Sequence, residues 1–146
     1  MGERRIDGFF YGLFMDVAVL KSSGVKPTNA RQAFVDDFAL RIGRRATLTP
    51  SKGARAYGML IALTHAELER LYSGAGLEQY RPEAVLAQVM AGGVVPALCY
   101  NLVIEPTADE RNPEYARRLQ QTLRVLNFPS AYVDSLASAV SGIGGD

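Results

Sequence analysis

Apolar positions fall into short, closely spaced runs up to about residue 104 and into helix-period stripes beyond it. Gly8 to Phe14 is an apolar run with aromatic residues and a glycine, which predicts a buried strand entering a turn at Tyr11-Gly12. Asp16 is placed to cap a short helix holding Val17, Ala18, Val19 and Leu20. Gly24 is placed to end it in the left-handed conformation, and Pro27 prevents its resumption. A strand, a glycine turn and a helix start in that order present backbone N–H groups.

From Arg31 to Leu63 the pattern is strand-like. Ala30 to Val35 and Phe38 to Ile42 flank a turn at Asp36-Asp37; Ala46 to Thr49 precedes a second turn at Pro50-Ser51-Lys52-Gly53. Ala54 to Leu63 reads as a longer strand in which Gly58 leaves room for close backbone approach. Thr64-His65-Ala66-Glu67 is a capping box, with Leu63 and Leu68 placed as a hydrophobic staple. That helix is expected to run to about Tyr72, where Ser73-Gly74-Ala75-Gly76 breaks it. Arg81 to Met90 and Val94 to Ile104 predict two strands joined by a tight hairpin through Gly92-Gly93.

After residue 104 the period changes. Asn112-Pro113 reads as a cap followed by proline at the first helical position. Tyr115, Leu119, Leu123 and Leu126 form the apolar stripe of that helix. Pro129-Ser130 starts a second helix with Tyr132, Val133, Leu136, Ala137 and Val140 inward. The predicted fold class is α+β: a mostly antiparallel or mixed sheet closed into a small barrel, with helices packed outside and two of them C-terminal. One domain is expected over 1–146, with its core at about 8–104 and a helical extension at 112–140.

Composition narrows the function. A chain of 146 residues with 48% hydrophobic and 21% charged residues can build one core without a disulfide or metal staple. The net charge of +1 provides no global field to draw the chain to nucleic acid or an anionic membrane. Cys99 is the only cysteine, and its apolar surroundings predict a buried, inert thiol. His65 is the only histidine, so zinc sites and Cys-His or Ser-His-Asp catalysis are disfavoured. No cofactor or metal is expected. The N-terminal apolar run is too short to span a bilayer, and a cytoplasmic location is expected.

Two segments together carry a resemblance. Phe9-Phe10-Tyr11-Gly12-Leu13-Phe14-Met15 is followed, in order, by Tyr57-Gly58-Met59-Leu60-Ile61-Ala62-Leu63, Leu68, Leu71, Gly76 and Tyr80-Arg81-Pro82-Glu83-Ala84-Val85. This order resembles the gamma-glutamylcyclotransferase-like (AIG2-like) family over roughly residues 8 to 104. The resemblance implies a small mixed β-barrel surrounded by helices. It also implies intramolecular acyl transfer, in which the α-amine of a gamma-glutamyl group attacks its own side-chain amide. The products are 5-oxoproline and a free amine. The nucleophile and electrophile share one molecule, so much of the catalysis is holding a folded conformer.

The resemblance places the substrate-binding N–H donors at Tyr11, Gly12, Leu13, Phe14 and Met15, with Tyr80 and Tyr100 lining the pocket. Leu13 stands where the family commonly has serine or threonine. The family's acid/base glutamate aligns with Ala75, which cannot transfer a proton. Two readings follow. Either Glu78 serves by a different loop path, with Glu83 a weaker candidate, or the chain is a catalytically degenerate domain that binds a small molecule on the same fold. Arg41, Arg44, Arg45, Lys52 and Arg55 are expected as solvent-facing strand and turn residues; if they bind anything, the resemblance favours a small anionic ligand. The expected partner is a small gamma-glutamyl compound, with neither nucleic acid nor membrane, and a homodimer is compatible with the sequence. An interaction module built on the two C-terminal helices is a third, weaker reading.

Overall fold

The computed structural model describes residues 4–74 and 77–141. Five strands close into a barrel: β1 (Arg5–Phe10), β2 (Thr28–Ile42), β3 (Ala46–Thr64), β4 (Tyr80–Val89) and β5 (Val94–Leu102), in the order β1-β3-β2-β4-β5. Every pairing is antiparallel except a parallel contact of β1 with β5 at Gly8 and Leu98, which closes the ring. The helices are α1 (Val17–Ser22), α2 (His65–Leu71), α3 (Pro113–Val125), α4 (Ser130–Asp134) and α5 (Ala137–Ser141). This is the mixed barrel with outer helices that the hydrophobic pattern predicts.

Strand alternation divides the core in two. Phe9, Val35, Leu48, Leu60 and Cys99 fill the barrel. Their chain neighbours Phe10 and Ile61 face outward and join Met15, Leu20, Leu63, Leu68, Leu119 and Leu123 beneath the helices. Leu119 and Leu123 are fully buried, each contributing about 1.5–3 kcal/mol by leaving water. Gly58 is required by crowding: a Cβ there would strike the carbonyl oxygen of Phe10 on the paired strand. Cys99 is fully buried, and its thiol pKa is pushed up by burial and by the nearby Glu83 charge; Sγ lies 3.7 Å from Asn101 Oδ1.

Three local expectations differ from the structure. The turns expected at Asp36-Asp37 and at 50–53 lie within long strands rather than between short ones. Their pairing jumps from Asp36–Arg55 to Phe38–Pro50, so a bulge absorbs the turn-forming residues. Asp37 and Gly53 take positive φ there, and the Gly53 N–H donates to Asp37 Oδ1 at 2.9 Å. The first strand ends at Phe10, before the aromatic run does, because Leu13–Met15 form a 3-10 turn. The final helix is two short helices, broken near Ser135. Among the described residues no helix is long and apolar enough to cross a membrane.

Candidate functional site

The chain leaves β1 through Tyr11 and Gly12 and turns at once into the 3-10 segment Leu13–Met15. Asp16 closes this segment and caps α1, its carboxylate accepting from the Ala18 N–H at 2.9 Å. The turn packs against α3. Gly12 has an extended φ of −111°, so its backbone does not demand glycine. Space does: a Cβ would collide with the Tyr115 hydroxyl. Asn112 caps α3 by accepting from the Tyr115 N–H, and so fixes the helix that delivers this tyrosine.

A cavity of about 200 Å³ opens beside the turn. Its walls are Phe10 to Phe14 from the turn, Arg44, Arg45 and Ala46 from the β2–β3 connection, Tyr72 and Leu77 after α2, Tyr80 from β4 and Tyr115 from α3. The volume lies below the ~300–1,000 Å³ of pockets for drug-sized ligands, so the matching ligand is small.

The polar groups of this cavity are held in place. The Tyr11 hydroxyl donates to the Tyr100 carbonyl at 2.7 Å, and that of Tyr80 donates to the Ala46 carbonyl. The Leu13 N–H meets the Tyr115 hydroxyl at 3.3 Å. The Met15 N–H is engaged by the Gly12 carbonyl at 3.0 Å. Among the described residues the N–H groups of Gly12 and Phe14 take part in neither of these bonds. Tyr72 stacks on Tyr100 at a centroid separation of 4.0 Å and an interplanar angle of 7°, so Tyr100 supports the wall from behind. Burial raises the pKa values of Tyr11, Tyr72, Tyr80 and Tyr115, and all four remain neutral phenols at physiological pH.

The structure thus brings together Tyr11, Gly12, Leu13, Phe14 and Tyr80. Met15 belongs to the same turn, with its side chain fully buried in the outer core. Glu78 is exposed in the turn between Leu77 and β4, and its backbone carbonyl accepts from the Arg81 guanidinium. Ala75, at the aligned acid/base position, lies outside the described residues. Glu83 is an exposed residue of β4 whose carboxylate accepts from Asn101 Nδ2 at 2.8 Å. The described lining carries no carboxylate. Among the described residues no cluster of three or more His, Cys, Asp or Glu could hold a metal ion.

Tyr72, Tyr115 and Arg45 are cavity residues that the sequence did not single out for that role. Tyr115 has the spacing of a core position, and its hydroxyl alone hinted at a polar destination. Tyr72 stands at the predicted end of its helix. Of the basic set, Arg41, Lys52 and Arg55 stay at the exposed surface, whereas Arg44 and Arg45 border the cavity.

Comparison with solved structures identifies the fold. A gamma-glutamyl cyclotransferase superposes with a TM-score of 0.78 at 16% sequence identity, covering 93% of this chain and 88% of its own. YkqA from Bacillus subtilis gives 0.75 at 21% identity over 95% of this chain, which spans 55% of the YkqA chain. An AIG2-like protein from Mus musculus gives 0.56 at 16% identity, covering 77% of this chain and 83% of its own. At these identities the likeness is one of fold, and the chain has the gamma-glutamyl cyclotransferase-like, AIG2-like fold. No sequence-family model and no curated protein sequence matches the chain.

Proposed function

We propose that the chain cyclises a gamma-glutamyl amine or peptide to 5-oxoproline and releases the amine. The observation that carries this reading is the Tyr11–Phe14 turn, which on this fold forms one wall of a small, phenol-lined cavity. In the reaction the substrate's α-amine nitrogen attacks its own side-chain amide carbon. A new C–N bond closes the five-membered ring, the old amide C–N bond breaks, and one proton passes from the attacking nitrogen to the leaving nitrogen. Fixed donors at Gly12 and Phe14 would stabilise the glutamyl carboxylate or the developing oxyanion. The aromatic walls would hold the substrate folded, which supplies the proximity that the ring closure needs.

Proton transfer is assigned to Glu78, the acidic residue of the loop that contributes Leu77 to the cavity. Incubation with gamma-glutamyl amino acids and amines should release 5-oxoproline, and Glu78→Gln should abolish that release. Full activity in Glu78→Gln removes this residue from the role. A second reading, binding without turnover, is favoured by the lack of a carboxylate in the described lining. It predicts saturable binding of the same compounds with no 5-oxoproline formed.

A further inference from the structure

Thr47 and Asn101 are buried polar side chains with no part in the proposed reaction. They lie where the barrel lacks a ladder. β3 and β5 flank β1 in the ring, and among the described residues they share no backbone pairing with each other. After its last pair, Phe10 with Met59, β1 leaves the ring for the Tyr11-Gly12 turn. β3 and β5 meet through side chains instead. Asn101 of β5 accepts from the Leu48 N–H of β3 at 3.1 Å, and Thr47 of β3 accepts from the Leu102 N–H of β5 at 3.0 Å. Each strand thus supplies one acceptor to the other's backbone. The other end of the Asn101 amide is held as well, its Nδ2 donating to Glu83 at 2.8 Å. Burial makes an N–H that loses its acceptor costly, so these two bonds are the ones that fasten β3 to β5 here.

This crossed clasp links two walls of the cavity. On β3 the residue before Thr47 is Ala46, which lines the cavity and whose carbonyl accepts from the Tyr80 hydroxyl. On β5 the residue before Asn101 is Tyr100, whose carbonyl accepts from the Tyr11 hydroxyl at 2.7 Å and so holds the start of the turn. We infer that Thr47 and Asn101 are positioning residues for the cavity: their crossed hydrogen bonds set how far the Ala46 wall stands from the Tyr11–Phe14 turn. Loss of either acceptor lets the two walls part. A small ligand that touches both then loses its fit to one of them. The ligand chosen for the test rests on the gamma-glutamyl reading above; the clasp itself does not.

The test follows amide hydrogen exchange at Leu48 and Leu102 of the intact chain, beside calorimetric binding of gamma-glutamyl-alanine. Thr47→Val keeps the side-chain shape and removes one acceptor, Thr47→Ser keeps that acceptor, and Asn101→Leu removes the other. Val133→Ala, in the outer core, supplies a loss of stability away from the clasp. Thr47→Val should speed exchange at Leu102 and weaken binding by about tenfold each, with Thr47→Ser within about twofold of wild type in both. Asn101→Leu should do the same at Leu48 and to the ligand. Unchanged affinity in both Thr47→Val and Asn101→Leu overturns the inference. So does an equal loss of affinity in Val133→Ala, the mark of general destabilisation, or a Thr47→Ser that binds no better than Thr47→Val. A wild type that binds no gamma-glutamyl-alanine overturns the gamma-glutamyl reading alone. The crystal structure of Thr47→Val then decides the clasp: a wider gap between Ala46 and Tyr11 supports it, and unmoved walls overturn it.

Discussion

At its N-terminal end α2 buries a carboxylate among donors, and just past its C-terminal end the chain lines a cavity with phenols. Glu67 is only 8% exposed. Its Oε1 accepts from the Thr64 N–H at 2.9 Å and its Oε2 from the Lys26 N–H at 2.7 Å, while Arg5 lies 3.8 Å away. Burial alone would raise its pKa; the Thr64 and Lys26 N–H donors and the Arg5 charge outweigh that and lower it. At the other end, Tyr72 lines the cavity together with the Tyr11–Phe14 turn, Arg44 and Arg45. A buried carboxylate with this many partners is a fastening between α2, β1 and the segment before β2. The cavity has the opposite character, and its described lining holds phenols and two arginines but no carboxylate. Carboxylates in this fold are therefore to be judged by their partners, and Glu67, the most buried acid among the described residues, is poorly suited to proton transfer.

The contrast can be broken by experiment, beginning at the fastened end. Glu67→Ala orphans the N–H groups of Thr64 and Lys26 and should cost about 2–3 kcal/mol in denaturant unfolding. A loss below about 0.5 kcal/mol would show that Glu67 fastens nothing. Its pH dependence sharpens the point. Because the folded-state pKa lies below the unfolded one, the stabilisation is present above the unfolded value and is lost as pH falls through the folded value. The acid-side slope in stability should therefore flatten in Glu67→Gln.

Gly12→Ala is expected to act mainly at the cavity. The added methyl pushes the Tyr115 hydroxyl aside, at a cost of about 1 kcal/mol, and should weaken ligand binding by about tenfold. A crystal structure of the variant with Tyr115 unmoved would contradict that account. The smallest effect is expected from Tyr72→Phe, within about 0.5 kcal/mol in stability, because its ring stacking with Tyr100 is retained. A several-fold loss in affinity for a gamma-glutamyl amino acid would show that the hydroxyl serves the ligand. A large stability loss would place it with the fastenings instead.

The same contrast explains what the sequence disclosed. Glu67 was legible because its partner Thr64 is three residues away and the capping box is a local rule. Gly58 was legible as a point of close approach, though not that its neighbour would be Phe10. The cavity was legible only at the Tyr11-Gly12 turn. Tyr115 reaches that turn from 102 residues downstream, and nothing local to α3 separates it from the core positions Leu119 and Leu123. Arg45 looked like the other basic residues near it, because which arginine borders a cavity is a tertiary fact. The bulged β2–β3 ribbon was missed for a related reason. Asp36-Asp37 and Pro50 to Gly53 carry turn chemistry, but facing one another they form a bulge in the β2–β3 ladder instead of reversing the chain.

The thiol enclosed by the barrel offers a use of its own. An alkylating reagent reaches Cys99 only when strands part, since the native side chain has no accessible surface. With a single cysteine in the chain, every modification event reports the same opening. Under fast reclosing, the labelling rate relative to a free thiol gives the opening free energy directly. A ligand that binds the closed barrel must slow that reaction in proportion to its occupancy. The protein thus carries a built-in clock for its own unfolding, which can rank candidate ligands without any turnover being observed.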